Sequence, residues 1–401
     1  MKKVLLFLLL LLSAVSLSAK TVYDGADPET KQLIAEVDAL IYQKQYASAF
    51  GKLSEQKNEY EIAKRVEIAI NYFAQSMMHQ MFAFKNLDED EDIYEVRRSN
   101  GSFSLIFYNP EDVIKNYIEE NGEKPILDYA LGLYYEDVSE RYGEQWLISK
   151  DELTENISTY LLKAFEAGCY DSWSLSVLGT SLYRQEKYDD AIRIYEAKEK
   201  EYEMTGTDNY HLGILYWFTD QCQKGIEHID ISADQYEDNP EYQADAYIVA
   251  ARIAITMKDY PTAETYLGIC LLKYPDDYRI YQYSIRLYAA QKQSKKVIDS
   301  GLKLFAYGPD NPSTCQIIMQ QCIDMDYNQG ALDFFKTAIK EYKKNDAALA
   351  NLYFHYAYQY NIMENYKEAA KKAKEARKYF EKSNTMTDEI DEYLKQLAGE
   401  N

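Results

Sequence analysis

Apolar positions recur along most of the chain at spacings of three and four residues, which is the spacing of one face of an α-helix. Residues 172–185 (SWSLSVLGTSLYRQ) and residues 188–202 (YDDAIRIYEAKEKEY) show it clearly. The connecting turn has two or three residues, so we predict two antiparallel neighbouring helices. Gly179 lies inside the first helix, where it costs about 1 kcal/mol relative to alanine. Ala191 lies inside the second, and we expect the two helices to approach most closely at these small residues.

The pattern has a fixed period. Gly213 follows Gly179 at the same interval that joins Ala263 to Val297 and Val297 to Ala331. An interval of about 34 residues indicates a stack of two-helix units rather than a single globule. The sequence therefore predicts an all-α repeat architecture over most of its length.

These units resemble the tetratricopeptide repeat family, whose 34-residue repeat has the pattern W-x2-L-G-x2-Y…A-x3-F…P. The matching residues, unit by unit, are Leu178, Gly179, Leu182, Ala191 and Tyr195; Leu212, Gly213 and Tyr216; Ala251, Ala254, Ala263, Leu267 and Pro275; Tyr288, Val297 and Pro309; Ala331, Phe335 and Ala338; and, offset by four residues, Ala357, Tyr360, Ala369 and Ala373. No unit matches in full: Gly225 stands at an alanine position, and Ile285 and Met319 stand at glycine positions. The resemblance covers residues 172–385 and implies a right-handed superhelical solenoid of antiparallel helix pairs.

The remaining segments are less regular. Residues 20–86 are predicted as an N-terminal helical, repeat-like region, with a repeat turn in residues 40–53 (LIYQKQYASAFGKL). Residues 110–171 are predicted as irregular helical repeats, and residues 386–401 as a C-terminal capping helix with a polar outer face. Between them, residues 87–109 are predicted as an acidic loop or inserted β-hairpin, because Asn100-Gly101 is a hairpin turn signal. The strands of that hairpin are expected near residues 93–108.

Two patterns invite metal chemistry. Asp88, Asp90 and Asp92 alternate as at the start of a calcium loop, but Ile93 replaces the required glycine and Ser99 the bidentate glutamate. A solvated acidic loop is therefore the better interpretation. The methionines at positions 77, 78 and 81 are expected to pack on a helix face rather than bind copper.

Motifs for catalysis are missing from the sequence. The four histidines, at positions 79, 211, 228 and 355, show no HxxxH or HExxH spacing. No P-loop, GxSxG or dinucleotide fingerprint occurs, so no cofactor, metal or catalytic residue is predicted, and an enzyme is the least supported class. The five cysteines are an odd number, so they cannot all pair in disulfides within the chain. The register turns Cys270, Cys315 and Cys322 inward, where we expect inert thiols.

The first residues have the layout of a secretory signal. Lys2 and Lys3 precede an apolar run at positions 4–12, and the small-residue segment SAVSLSA follows. We predict a signal peptide over residues 1–19, cut after Ser16, Ser18 or Ala19, and an exported protein, periplasmic or secreted. An uncleaved anchor is the alternative. The net charge of −22 opposes binding to nucleic acid or anionic membranes.

In stacked helix pairs the first helices of successive units form one wall, on which equivalent positions align. Candidate binding residues at these positions are Arg252, Arg279, Arg286, Tyr210, Trp217 and Phe218, and the same wall carries Trp173, Tyr183, Arg184, Ile214, Ile248, Gln282, Gln316 and Gln320. Arg252 and Arg286 are separated by exactly one repeat interval, and two arginines in register would suit a carboxylate. The alternative is that these arginines pair with neighbouring acids such as Asp245 and that the aromatic residues belong to the core.

The resemblance to tetratricopeptide repeats implies a non-catalytic scaffold that binds a protein or peptide partner in its groove. A segment carrying an acidic group would fit the predicted arginines. The alternative is a periplasmic, ligand-carrying component associated with transport, for which a closed apolar pore or a ring-forming oligomer would be the expected feature.

Overall fold

The computed structural model describes residues 21–99 and 101–399, which fall into two compact units divided after Met204. The predicted signal peptide and its cleavage positions lie outside the described residues. The helices of the first unit are α1 (Pro28–Tyr42), α2 (Tyr46–Lys52), α3 (Glu59–Asn71), α4 (Ile93–Arg98), α5 (Pro110–Asn121), α6 (Pro125–Tyr142), α7 (Lys150–Glu166), α8 (Ser172–Arg184) and α9 (Tyr188–Glu201). Its strands are β1 (Gln75–Met77), β2 (Met81–Ala83) and β3 (Ile106–Phe107).

The second unit is helical throughout its described residues. Its helices are α10 (Gly206–Phe218), α11 (Cys222–Gln235), α12 (Pro240–Thr256), α13 (Tyr260–Lys273), α14 (Tyr278–Ala290), α15 (Ser294–Phe305), α16 (Pro312–Asp324), α17 (Asn328–Glu341), α18 (Asp346–Ile362), α19 (Tyr366–Ser383) and α20 (Asp388–Ala398). Each consecutive pair packs together, and α20 packs on α19 as the predicted capping helix. The prediction of a helical solenoid built from helix pairs is confirmed.

The period of the sequence governs where helices begin. The first helices of successive pairs begin at residues 206, 240, 278, 312 and 346, so every step equals the sequence period except the step from 240 to 278, which is longer. The longer step arises because α12 has 17 residues where α10 has 13. Helix α18 is also 17 residues long, and this accounts for the four-residue offset seen in the last sequence repeat. Four residues make about one helical turn, so the insertion keeps the same face inward.

Capping residues fix the start of each first helix in the second unit. The residue before each of these helices has a side chain that accepts a hydrogen bond from a backbone N–H of the first turn. These residues are Thr205, Asn239, Asp277, Asn311 and Asn345. Such caps contribute about 1 kcal/mol each. Polar capping residues therefore recur along the second unit together with the apolar positions.

In the second unit, the turn inside each pair holds a non-glycine residue in the left-handed conformation. In the second unit these residues have φ between 50° and 62° and are Asp220, Lys258, Lys292, Asp326 and Glu364. This conformation costs about 1–2 kcal/mol for a residue with a Cβ atom. It recurs at the same position of every pair in the second unit because the second helix begins two residues later and runs antiparallel to the first.

The small residues define the closest approach between paired helices, as predicted. A Cβ atom added to Gly213 would lie 2.9 Å from the backbone oxygen of Gly225. At Gly179 it would lie 2.7 Å from the ring of Tyr195. The predicted inward thiols are confirmed, since the cysteines at positions 270, 315 and 322 are all buried. Burial raises the pKa of the thiols at 270 and 322 to about 12, which makes them inert at neutral pH.

The inserted segment differs from its prediction. Residues Ile93–Arg98 form α4 instead of a strand, because the Asp92 side chain accepts hydrogen bonds from the backbone N–H groups of Tyr94 and Glu95. Glu95 in its first turn and Arg97 and Arg98 in its last complement the helix dipole. The prediction of hairpin strands near residues 93–108 was therefore wrong for residues 93–98, whereas β3 does lie within that range, and Asn100 lies outside the described residues.

A small antiparallel sheet joins two strands that precede this segment to β3, in the order β1-β2-β3. Its hairpin joins β1 and β2, and the turn contains Met78 and His79 in the left-handed conformation. Met77, Met78 and Met81 thus lie in a hairpin, and the prediction that they pack on a helix face was wrong. The predicted helical region at residues 20–86 is helical only as far as Asn71, where α3 ends. Phe82, which is fully buried, anchors this sheet in the first unit.

Candidate binding site on the first-helix wall

Helices α10, α12, α14 and α16 pack side by side in the second unit. We call the face that these helices share the first-helix wall. Arg252 and Arg286 each lie six residues before the left-handed turn residue of their pair, Lys258 or Lys292, so they occupy equivalent positions on α12 and α14. The predicted residues Tyr210, Trp217, Arg252, Arg279 and Arg286 all come from three of these helices.

Arg252 lies between two aromatic rings. Its guanidinium carbon is 4.8 Å from the ring centroid of Trp217 on α10 and 5.3 Å from that of Tyr283 on α14. The Trp217 indole N–H donates to the hydroxyl of Thr256 over 3.3 Å, and that hydroxyl donates to the backbone carbonyl of Arg252 over 3.1 Å. These contacts hold both the arginine and the indole in place. Cation–π contacts of this kind contribute about 0.5–2 kcal/mol.

Arg252 has no acidic partner among the described residues. Across the described ranges 21–99 and 101–399, no carboxylate oxygen lies within 4.0 Å of the Arg252 guanidinium, and its side chain donates no hydrogen bond to a protein group. A guanidinium carries five N–H donors in one plane. Because none of the described protein groups accepts from those of Arg252, they are available to a carboxylate.

Arg279 forms ion pairs with two aspartates of its own unit. It donates to Asp245 over 2.6 Å and to Asp277 over 2.7–3.0 Å. The bonds to Asp277 raise the pKa of Arg279, against burial, which lowers it, and Asp245 adds to the rise. Tyr210 donates a hydrogen bond to the other oxygen of Asp245. For Arg279 the structure thus shows the pairing with Asp245 that was the alternative interpretation.

Arg286 is paired as well. Its guanidinium lies 2.8 Å from a carboxylate oxygen of Asp324 on α16 and 3.2 Å from the amide oxygen of Gln321. The second carboxylate oxygen of Asp324 accepts from Gln320 over 2.6 Å. Arg252 and Arg286 occupy equivalent sequence positions, but they differ in what they contact.

The aromatic positions are divided in the same way. Phe218 is 47% exposed and its ring centroid lies 5.6 Å from that of Trp217, so an aromatic surface adjoins Arg252. Ile214 and Ile248 are buried, and the expectation that they line the wall was wrong because they pack between neighbouring helices. Tyr283 was not predicted from the sequence. It lies three residues before Arg286, the repeat equivalent of Arg252, and therefore on the same face of α14.

The first unit contains a polar cluster that motif analysis did not find. His79 bonds to Asp137 through one ring nitrogen, and its other nitrogen lies 3.4 Å from the hydroxyl of Tyr142. That hydroxyl is 3.4 Å from the hydroxyl of Ser76. The order hydroxyl–imidazole–carboxylate resembles that of a hydrolytic triad. The imidazole is fully buried, however, and a substrate could not reach it.

The acidic loop is held by a lysine. The Lys44 ammonium donates to the backbone carbonyls of Glu89 over 2.8 Å and Glu91 over 2.7 Å. Asp92 is occupied as the cap of α4. Among the described residues no group of three or more histidine, cysteine or acidic side chains is arranged to hold a metal ion. In the same part of the chain, no helix is both long and apolar enough to cross a bilayer.

No family model matches this sequence, and no curated protein matches it. Solved structures of tetratricopeptide repeat proteins are similar to it in part. A tetratricopeptide repeat protein from Parabacteroides merdae is 17% identical, with a TM-score of 0.41 over 66% of this chain and 98% of its own. YrrB, described as a TPR protein with an unusual peptide-binding site, is 16% identical, with a TM-score of 0.40 over 52% of this chain and 96% of its own. Yeast Tom70 is 14% identical, with a TM-score of 0.35 over 92% of this chain and 81% of its own.

Proposed function

We propose that this chain is a non-catalytic scaffold of the tetratricopeptide repeat type that binds an acidic protein or peptide segment on the first-helix wall. The observation that carries the proposal is Arg252, held between Trp217 and Tyr283 without an acidic partner in the described chain. The regular recurrence of helix starts supports the assignment to this type of repeat.

The chemistry of the site favours a carboxylate. Hydrogen bonds between arginine and a carboxylate are charge-assisted and can be bidentate, which gives both strength and direction. The chain carries a net charge of −22, so an acidic partner is repelled at long range and must be recognised at a specific cation. Arg279 and Arg286 already bind Asp245 and Asp324, which leaves Arg252 as the anchor in this proposal.

Aromatic contact would supply the rest of the affinity. Trp217 and the exposed Phe218 adjoin Arg252, and binding energy at protein interfaces concentrates in aromatic and arginine residues. We therefore expect the partner segment to combine an acidic residue, or its own C-terminal carboxylate, with an apolar side chain nearby.

A peptide display selection against residues 20–401 tests this function. Each selected acidic peptide is compared with a partner in which the carboxyl group is replaced by the amide, as Asp by Asn, Glu by Gln or a free C-terminus by its amide. We expect the amide form to bind at least about tenfold more weakly, which corresponds to about 1.4 kcal/mol. Equal binding of the two forms would contradict the proposal.

The competing function, a ligand-carrying component of a transport system, is tested in parallel. Mass spectrometry of the purified native protein would detect a small molecule retained at stoichiometric amount. A retained molecule together with an empty peptide selection would replace the scaffold proposal with the carrier function.

Export is a further part of the proposal, and it rests on the signal-like residues 1–19. N-terminal sequencing of the protein from a cell-envelope fraction should find a first residue between positions 17 and 20. An intact Met1 in the membrane pellet would favour the anchor instead.

A further inference from the structure

A separate feature of the second unit lies away from the contacts of Arg252. It is a cavity of about 350 Å³ between α16, α18 and α20. Its lining residues are Gln316, Met319, Phe354, His355, Tyr358 and Tyr393. Apart from His355, none of these side chains can carry a charge at neutral pH. The cavity therefore favours a neutral ligand.

The cavity walls are aromatic. The ring of Phe354 lies 5.6 Å from that of Tyr393, and Tyr358 lies 6.2 Å from Tyr393, at interplanar angles of 40° and 52°. Tyr393 comes from the capping helix α20, while the other two come from α18. Rings at these separations present faces and edges suited to a further ring, which packs best in an offset or edge-to-face arrangement.

His355 supplies a directed polar atom. Its Nδ1 lies 3.0 Å from the backbone carbonyl of Asn351. A carbonyl can only accept, so Nδ1 carries the hydrogen and Nε2 is an acceptor in the neutral ring. Within the described part of the chain, no protein group bonds to Nε2. Burial lowers the pKa of His355 to about 4, against the Asn351 carbonyl, which raises it, so the ring is neutral at pH 7.

The size of the cavity limits what it can hold. An engineered apolar cavity of about 150 Å³ admits benzene, so 350 Å³ accommodates one aromatic ring with substituents. A lone acceptor in an aromatic site selects a ring that bears a hydrogen-bond donor. We propose that this cavity binds one neutral aromatic ring carrying an O–H or N–H donor, as in a phenol or an indole, with the donor bonded to His355 Nε2.

The first test uses 4-methylphenol and toluene, which differ by the hydroxyl group. Both are titrated against residues 20–401 while the ring signals of the four histidines are followed by NMR. We expect 4-methylphenol to shift the signals of His355 but not those of His228, and to bind about fivefold to tenfold more tightly than toluene. Equal affinities, or shifts that leave His355 unchanged, would overturn the proposal.

The second test uses His355→Phe, which keeps an aromatic ring of similar size and removes the acceptor. The preference for 4-methylphenol over toluene should disappear, while toluene should bind as before. His228→Phe, a half-buried histidine on α11 that contacts Asn209 and Tyr216, is the matched control and should retain the preference. A preference that survives in His355→Phe would overturn the assignment. If that variant fails to fold, the NMR titration of the unaltered protein decides alone.

Such a ring could belong to a free small molecule or to a side chain of a partner protein. N-acetyl-tyrosinamide distinguishes them, because it carries the same phenol on a peptide-like backbone. Binding of both probes at His355 supports the proposal and assigns the site to a partner's side chain. Binding of 4-methylphenol alone also supports it and assigns the site to a free small molecule.

Discussion

The insertion of the first unit, meaning residues 75–109 with the small sheet and α4, and the repeat array of the second unit each bury a histidine, and they accommodate its polarity in opposite ways. His79 lies in the β1–β2 hairpin turn and bonds to Asp137, with Phe73 and Phe82 packed around it. His355 lies in a regular helix, bonds to a backbone carbonyl and has no carboxylate partner among the described residues. One histidine bonds to a side chain distant in sequence, and the other bonds to the backbone of its own helix.

This difference reflects how the two regions are stabilised. The array repeats the same devices, namely caps, small residues and left-handed turns, so each contributes a modest share. The insertion has no repeat, and a few specific contacts hold it to the rest of its unit. Arg97, for example, donates to the backbone carbonyls at the end of α3, at Asn71 and Phe73. We therefore expect single substitutions to cost most in the insertion.

The largest effect is predicted for Asp137→Leu. Burial alone would raise the pKa of Asp137, but bonds from His79 and Arg141 hold it below its usual value. Removing the carboxylate leaves His79 buried without its partner, and we expect a loss of about 3 kcal/mol in the free energy of unfolding. Chemical denaturation measures it. Glu140→Leu, on the same helix and largely exposed, should cost less than about 0.5 kcal/mol. Similar losses in both variants would refute the distinction.

A pH-dependent loss of stability is predicted for the array histidine. In the unfolded chain His355 binds a proton below about pH 6.5, whereas the folded protein keeps it neutral to a pKa of about 4. Stability from this residue is thus complete above about pH 6.5 and falls as the pH drops toward 4. Between about pH 7 and pH 5 the native protein should lose about 2 kcal/mol more than His355→Phe. Parallel pH profiles in the two proteins would count against a buried, neutral ring.

Adding one methyl group separates tight from loose positions within the array. At Gly213 a Cβ would meet the Gly225 backbone oxygen at 2.9 Å, so Gly213→Ala should lower the free energy of unfolding by about 1 kcal/mol. At Gly268, on α13, a Cβ would meet no atom within 4 Å. Gly268→Ala should therefore raise stability by up to about 1 kcal/mol, through helix propensity alone. Thermal unfolding compares them, and the same sign at both sites would show that the register is misplaced.

The smallest effect concerns the left-handed turns. Lys292 has a φ of 56°, and Lys292→Gly should raise stability by about 0.5 kcal/mol, because relief of strain is partly offset by the greater freedom of the unfolded chain. Lys336→Gly, exposed in the middle of α17, should lower it by about 1 kcal/mol. A loss at position 292 as large as at 336 would mean that the turn is not strained.

Most of the array could be predicted from the sequence because its contacts are local and periodic. Gly179 and Gly213 revealed the repeat, and the four-residue offset of the last unit matches the longer α18. A further signal was available and unused: Thr205, Asn239 and Asn345 each precede a first helix by one residue and cap it.

The insertion could not be predicted in the same way. Its hairpin turn uses Met78 and His79, which are not turn-forming residues, and the bond from His79 to Asp137 joins positions distant in sequence. Asn100-Gly101 was the stronger turn signal in the sequence, but capping by Asp92 makes the preceding segment a helix. The hairpin therefore depends on tertiary contact, whereas α4 depends on a local cap.

At the candidate site, the sequence predicted position but not pairing. Arg252 and Arg286 were recognised as equivalent, and both lie on the first-helix wall. Their difference depends on Asp324, which lies 38 residues beyond Arg286 and reaches it from α16. Contacts between side chains on neighbouring repeats cannot be read from a pattern within one repeat.

The measurement that tests the account most directly compares these two arginines. An acidic peptide obtained by selection is titrated calorimetrically against the native protein, Arg252→Gln and Arg286→Gln. We predict that Arg252→Gln weakens binding at least about tenfold, whereas Arg286→Gln, whose arginine is occupied by Asp324, changes it less than about threefold. Circular dichroism should show all three proteins folded. Equal losses in the two variants, or unchanged binding by folded Arg252→Gln, would contradict the claim that Arg252 anchors an acidic partner.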